Sequence, residues 1–312
     1  MDAGAQRYFS RTIDISSVDK VFFPDTGLTK GELLDYHVRI AERMLVHLRE
    51  RPVAVKRYPD GLEGQGFFQK NAGSHYPGWL RRQDIPKRDG GTLDHVVVDE
   101  PATLVYLADQ GTIEFHPWLS LADDLEHPIE LVLDLDPPAD GEIDAIRAAA
   151  RDVRTLLEEL GAPSRIKTSG SAGFHVHLPL DGSAGWDVSS QLARSLAETV
   201  CDRHPDRLTT SQRKHARTGR VFIDWLRNGY GQTSVAAYSV RARPGAPVAT
   251  PIDWDELSRV EPRSYDVRNL FRRLGQREDP WRDEPSATAA AELSDRLETL
   301  RGTSGRRQSS GQ

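Results

Sequence analysis

Apolar residues recur along this chain at two spacings, and the changes between them mark its elements. Between residues 30 and 48, Leu33, Leu34, His37, Ile40, Met44 and Leu48 fall near one helical face. Thr29 stands at the N-cap position and Glu32, three residues on, completes a capping box. Residues 102–110 predict a second helix ended by Gly111. In 143–160, Ile143, Ile146, Val153, Leu156, Leu157 and Leu160 form a stripe that stops at Gly161. Residues 186–203 and 286–300 predict two more helices, the last with Leu293, Leu297 and Leu300. Elsewhere the pattern is that of strands: 53–58, 96–98, 112–116 closed by Pro117, and 129–136 stopped by Pro137 and Pro138. Residues 164–180 read as strand, Gly/Ser turn, strand, hence a hairpin. Further strands are expected at 221–225 and 234–243, and a polar surface loop at 84–95. No internal repeat is present. This is a mixed α/β pattern.

Composition narrows the class. At 312 residues, with 38% hydrophobic and 28% charged, the chain can bury a sizeable core in one or two domains. No run of about 18 apolar residues exists, so no membrane is expected as a partner. The N-terminus lacks an apolar signal core, and a cytoplasmic location is expected. Cys201 is the only cysteine, which excludes an internal disulfide framework and a Cys-based zinc site. Residues 302–312, rich in Gly, Ser, Gln and Arg, are expected to form a disordered tail. The net charge of −6 is unevenly spread. Residues 121–144 hold nine acids and no Lys or Arg, whereas 203–220 hold six Lys/Arg against one Asp. A cation site and an anion-binding surface can therefore coexist.

The candidate chemistry centres on Asp134 and Asp136. Two residues apart on a strand, they share a face, roughly 6.5–7 Å apart along it. Two carboxylates at a buried strand end repel, and a divalent cation removes that cost. Two Mg²⁺ or Mn²⁺ ions about 3.5–4 Å apart are the usual apparatus for phosphoryl transfer. Taken alone, the short D-x-D spacing also fits two solvated acids. Asp224 ends another strand and makes a third carboxylate available. The turn Ser169-Gly-Ser-Ala-Gly precedes His175 and His177, which share a strand face; His-x-His also fits zinc, with packing the default for at least one of the two. Lys56, His116, Arg227, Arg241 and Arg243 could converge on a triphosphate, Arg241 and Arg243 as alternating positions of one strand face. Lys20 and Lys30 flank a helix start, a place for phosphate or for two solvated lysines. Phe67 and Phe68, adjacent in a Gly-rich loop, fit either a core or a base-stacking platform.

Asp134-Leu-Asp136-Pro, Ser169-Gly170 with His175, and Asp224, in that order, resemble the motif set of the archaeo-eukaryotic primase superfamily. The closest resemblance is to the polymerase domain of bacterial ligase D, which acts in non-homologous end joining. It spans roughly residues 8–275, with support from Asp19-Lys-Val-Phe-Phe-Pro, Lys56-Arg-Tyr-Pro-Asp-Gly, Glu114-Phe-His116 and Ala237-Tyr-Ser-Val-Arg241. The resemblance implies an α/β (α+β) primase-polymerase fold, with an RRM-like antiparallel catalytic sheet joined to a second α/β unit. The catalytic domain would occupy 1–280 as two interleaved subdomains, followed by a helix at 281–301.

It further implies that Asp134, Asp136 and Asp224 bind two Mn²⁺ or Mg²⁺ ions. Lys56, His116, Ser169, His175, Arg227, Arg241 and Arg243 would bind the incoming rNTP or dNTP, ribonucleotides being preferred. Ser17, Lys20, Lys30, Phe67, Phe68, Lys214, Arg217 and Arg220 would bind DNA, Lys20 and Lys30 at the 5′-phosphate across a short gap. The family often has Asn where Ser17 stands and Lys where Ala172 stands, which puts one phosphate contact and one triphosphate cation in doubt. A monomer acting beside a separate ATP-dependent ligase and Ku, near the nucleoid, is the implied setting. A metal-dependent phosphohydrolase or nuclease, and a catalytically silent DNA-end-binding module, are the alternatives.

Overall fold

A computed structural model describes residues 3–138, 141–283 and 286–309, the side chains of 214, 216 and 304–309 excepted. The helices are α1 Lys30–Val46, α2 Pro101–Asp109, α3 Ile143–Glu159, α4 Trp186–Arg203, α5 Leu270–Gln276 and α6 Ala290–Ser309. Two sheets organise the rest.

In the first sheet, the strand Glu130–Asp136 lies between Phe174–Pro179 and Val221–Asp224, antiparallel to both. Arg165–Thr168 and then Pro251–Ile252 extend one side, and Leu208–Thr209 lies parallel at the opposite edge. Period-two alternation gives this sheet two unlike faces. Leu131, Leu133, Leu135, Ile166, Phe174, Val176, Leu178, Val221 and Ile223 bury one face against α3, α4 and α6. The chain's alternate positions, Glu130, Asp134 and Asp136 with Lys167, His175 and His177, occupy the other.

The second sheet is built on Pro52–Arg57, which pairs with Phe67–Gln69, with Thr112–Pro117 and, at Pro52 and Val53, with Thr92–Val97. Arg82–Pro86 forms its outer edge. Leu33, Ile40 and Met44 of α1 and Leu104 and Leu107 of α2 enter the same core as Val53, Val55 and Phe115. Burying each such side chain is worth about 1.5–3 kcal/mol, so the stripe on α1 is sufficient to anchor it. Thr29 caps α1 with the reciprocal Glu32 bond expected from the sequence.

Three expectations are corrected. Residues 84–95 are not a loop: Arg82–Pro86 and Thr92–Val97 pair as a hairpin, with Gly90 and Gly91 at positive φ in the turn. Its polar positions belong to an edge, where sequence periodicity carries little signal. Residues 234–243 are not a strand. Tyr238 adopts φ 65°, and Arg243 N–H donates to Arg241 O, so the backbone turns locally and meets 248–249 through isolated contacts. The last helix starts at Ala290 and runs to Ser309, through most of the segment whose composition suggested a tail; 310–312 lie outside the described residues.

Candidate active site

The strand register assembles the polar face in one row. Lys167 pairs with His175, His175 with Asp134, and Asp134 with Asp224, across four adjacent strands. Asp136 follows two residues beyond Asp134 on the same face. Burial raises the carboxyls of Asp134 and Asp224 above their ordinary range. Asp136 is pushed up to about 6 by burial and by its two acidic neighbours. Arg227 opposes this, lying 3.7 Å from Asp224 Oδ2, and Arg217, stacked over Phe222 at 3.5 Å, adds its charge. Leu226 N–H also donates to Asp224 Oδ1 at 2.9 Å. Among the described residues, no group of three His, Cys, Asp or Glu is gathered at metal-ligand spacing. Like charges resist such gathering. The donor set is nevertheless all carboxylate, the chemistry of Mg²⁺ or Mn²⁺ rather than of zinc.

His175 Nε2 lies 3.2 Å from Asp134 Oδ1, and Lys167 Nζ lies 2.9 Å from His175 Nδ1. His177 turns to the neighbouring acid, with Nδ1 3.0 Å from Glu130 Oε1, and Arg51 holds the other Glu130 oxygen at 3.0 Å. The two histidines therefore serve separate clusters.

The turn before His175 is sterically determined. Gly170 sits at φ +63°, and a Cβ there would meet Arg241 Cγ at 2.7 Å. A Cβ on Gly173 would lie 1.8 Å from Leu135 O. Ser169 Oγ accepts from Ser171 N–H and Gly173 N–H, at 3.1 and 3.0 Å, so these two amides face inward. Arg241 donates to Ser169 O, tying the turn to the 234–243 segment. The same Arg241 lies 3.4 Å from Glu114 Oε1, while Glu114 Oε2 accepts from His116 Nε2 at 2.9 Å and Oε1 from Ala242 N–H at 2.9 Å. Hydrogen bonding to His116 and the Arg241 charge outweigh burial and hold Glu114 well below the usual carboxylate range. Arg243 is exposed while Arg241 is mostly buried, so they do not share a strand face.

Lys56, Glu114, Ala54 and His116 lie in facing register on the second sheet, with Phe68 opposite Lys56. Phe67 and Phe68 are 44% and 56% exposed, so neither ring is core. Phe68 meets the His116 ring edge-on at 5.0 Å, and Lys56 and Arg57 lie over Phe68 and Phe67 at 5.8 and 5.6 Å.

The remaining basic candidates divide. Lys20 is accessible and pairs with Asp60 at 3.0 Å. Lys30 is not an open cation: its side chain is buried, paired with Asp109 at 2.6 Å and donating to Ser16 O at 2.7 Å. The α1 start has its first amides in use as well, Lys30 N–H on Lys20 O, Gly31 N–H on Val18 O and Glu32 N–H on Thr29 Oγ1. The expected pocket of a helix start and two free lysines is thus reduced to Lys20. Ser17 is exposed at φ 53°. Arg217 lies beside the acids, whereas Arg220 reaches Pro205 O. The Lys214 side chain lies outside the described residues. Sequence reasoning missed Lys167 and the bridging part of Glu114. Their signal was positional, since Lys167 precedes Ser169 by two and Glu114 precedes His116 by two.

A mostly antiparallel sheet with three acids at its strand ends, linked through Arg241 to a basic and aromatic second sheet, has a match among known proteins. The family model of the LigD primase-polymerase domain matches residues 29–281, and the chain belongs to this family of nucleotidyltransferases. It is 36% identical over 285 residues to the multifunctional non-homologous end joining protein LigD of Pseudomonas aeruginosa, covering 90% of this chain and 34% of that protein. The LigD protein of Mycolicibacterium smegmatis is 33% identical over 300 residues, 96% of this chain and 39% of that protein. The chain thus spans little more than a third of these relatives. The solved polymerase domain of Mycobacterium tuberculosis ligase D, in complex with DNA, superposes with a TM-score of 0.81 at 31% identity, over 86% of this chain and 96% of that one. That match bears out the mixed α/β fold class.

Proposed function

We propose that the chain is a template-directed polymerase that fills short gaps at DNA breaks, preferring ribonucleotides. The observation that carries this reading is the register placing Asp134 opposite both His175 and Asp224, with Asp136 on the same face. Asp134, Asp136 and Asp224 would hold two divalent ions. Such ions would supply a lowered pKa for the primer hydroxyl and neutralisation of the charge on departing pyrophosphate. Arg227, Arg241, His116, Lys56 and His175 would orient the triphosphate. Ser169 shapes the turn and presents its carbonyl to Arg241. An ATP-dependent ligase activity and Ku, in the cytoplasm at the nucleoid, would complete end joining around a monomeric enzyme. The test is extension of a primer across a short gap with Mn²⁺ and either rNTPs or dNTPs. A lane without nucleotide that yields shortened DNA would favour a nuclease instead.

The exposed rings are read as the template platform. Phe67→Ala and Phe68→Ala, tested separately by fluorescence anisotropy on gapped duplex, are expected to weaken binding, with at least one losing about 1–3 kcal/mol. Wild-type affinity in both folded variants would remove the platform.

Lys20 is the side chain proposed to read a 5′-phosphate. Removing that phosphate is expected to weaken binding of wild type, and to matter much less to Lys20→Ala, since both changes delete one contact. The difference should shrink as salt rises. Strictly additive losses would exclude Lys20 as the reader. Lys30→Met belongs in a separate measurement, because stripping Asp109 of its buried partner is expected to cost about 3–5 kcal/mol of stability. Ser17→Asn places a residue that tolerates positive φ at a position now holding φ 53°. It is expected to raise Tm slightly and to strengthen the phosphate preference.

A further inference from the structure

Lys167 is fully buried, and its Nζ lies 2.9 Å from His175 Nδ1. On the far side of the ring, His175 Nε2 is 3.2 Å from Asp134 Oδ1. These three residues stand in one row of the sheet register, on three adjacent strands. We propose that Lys167 is a positioning residue: it donates to His175 Nδ1, fixes the Nε2–H tautomer, and so aims one N–H of His175 at the acid row where the triphosphate and its reacting end are held. The proposal rests on the polymerase reading.

The tautomer follows from the partners. A carboxylate oxygen accepts, so the Nε2 that faces Asp134 must carry a proton. A lysine ammonium 2.9 Å from Nδ1 leaves no place for a second proton on that side, so the ring carries a single proton. Nδ1 is then a lone pair and needs a donor. Its neighbours are Lys167 Nζ at 2.9 Å and Ser234 Oγ at 3.4 Å, and lysine is the closer and has only protons to offer when charged. The reverse tautomer would set the Nε2 lone pair against a carboxylate. A buried lysine is costly to retain. Anchoring a histidine from behind explains its place better than general charge balance, because among the described residues its one short side-chain contact is with the ring and not with an acid. Partners that orient a metal-ligating histidine from behind typically matter by about 10–100-fold, and the same arrangement stands here behind a histidine beside the acid row.

The experiment has two arms. The first measures kcat/KM for nucleotide in gap filling with wild type, Lys167→Met, His175→Ala and the double variant. Lys167→Met keeps the length of the stem and loses the donor. It is expected to lose about tenfold or more in the wild-type background and less than about threefold when His175 is absent. DNA binding by Lys167→Met should stay at the wild-type level. An equal loss in both backgrounds would overturn the proposal. The second arm reads the ring nitrogens by NMR of protein labelled with ¹⁵N-histidine, with His175 assigned by difference from His175→Ala. Wild type should show a protonated Nε2 and a bare Nδ1 shifted by the hydrogen bond it accepts from Lys167; Lys167→Met should move the Nδ1 resonance to that of an unbonded ring nitrogen, and Lys167→Gln, which keeps an N–H, should restore it. A protonated Nδ1 in wild type would also overturn the proposal. This arm needs no nucleotide, so an enzyme that fails to extend primers would sink the polymerase reading while the tautomer result still decides what Lys167 does.

Discussion

Asp134→Ala and Asp136→Ala are expected to reduce primer extension by at least about a thousandfold, about 4 kcal/mol at 1.36 kcal/mol per decade, while gapped-DNA binding persists. The acids share a face, and the register sets Asp224 beside Asp134, so each deletion removes a donor from one cation site. Near-normal extension by either variant would remove the two-metal assignment. A milder substitution separates charge from chemistry. The Asp136 carboxyl is raised from 3.8 to about 6 by burial and by Asp134 and Asp224. The folded state therefore binds its proton more tightly than the unfolded state does. Between those two pH values its contribution to stability falls as pH rises, and above about 6 the unfavourable term is fully present. At pH 7.5 Asp136→Asn is expected to remove an unfavourable term on the order of 2–3 kcal/mol at most, so metal-free protein should melt higher by about 2–4 °C per kcal/mol. Added Mn²⁺ should raise the Tm of wild type more than that of the variant. A variant that melts lower than wild type at pH 7.5 and equally at pH 4 would contradict this electrostatic account.

Glu114→Ala is expected to lose stability and nucleotide affinity together. The carboxylate is almost fully buried and joins His116, Arg241 and the Ala242 amide, groups from two separate chain segments. Breaking a buried pair of this kind costs about 3–5 kcal/mol, and the solvent that reaches the Arg241 side chain brings the expectation to about 2–4 kcal/mol. KM for nucleotide should rise about tenfold or more, because His116 and Arg241 lose a common anchor. Glu114→Gln, which keeps an acceptor but no charge, should lie between. The pH dependence has a defined sign. Glu114 is held below its ordinary value of 4.5, so its contribution is complete above that pH and fades as pH falls below it. The Tm difference between wild type and Glu114→Gln should therefore narrow on acidification below about 4.5. A KM unchanged in a folded Glu114→Ala would show that the cluster is structural only.

Much of this architecture is local and so legible in the chain. The α1 stripe, its capping box, the strand ended by two prolines and the Gly/Ser hairpin each depend on residues within a few positions, and each formed as the periodicity required. The alternation Leu131, Leu133, Leu135 against Glu130, Asp134, Asp136 determines by itself that this strand has an apolar and a polar face. Pairings between distant segments are another matter, because their energies depend on which strands become neighbours. Lys30 and Lys20 read alike in sequence, yet Asp109, 79 residues from Lys30, buries one and leaves the other open. Arg241 and Arg243 looked like one strand face until Tyr238 turned the backbone and set one guanidinium on Glu114 and the other in solvent. Only the folded register brought Lys167 and Asp224 into one row with His175 and Asp134. Side-chain chemistry is written residue by residue, but the partner that holds a proton or a charge in place is chosen by contacts between segments far apart in the chain.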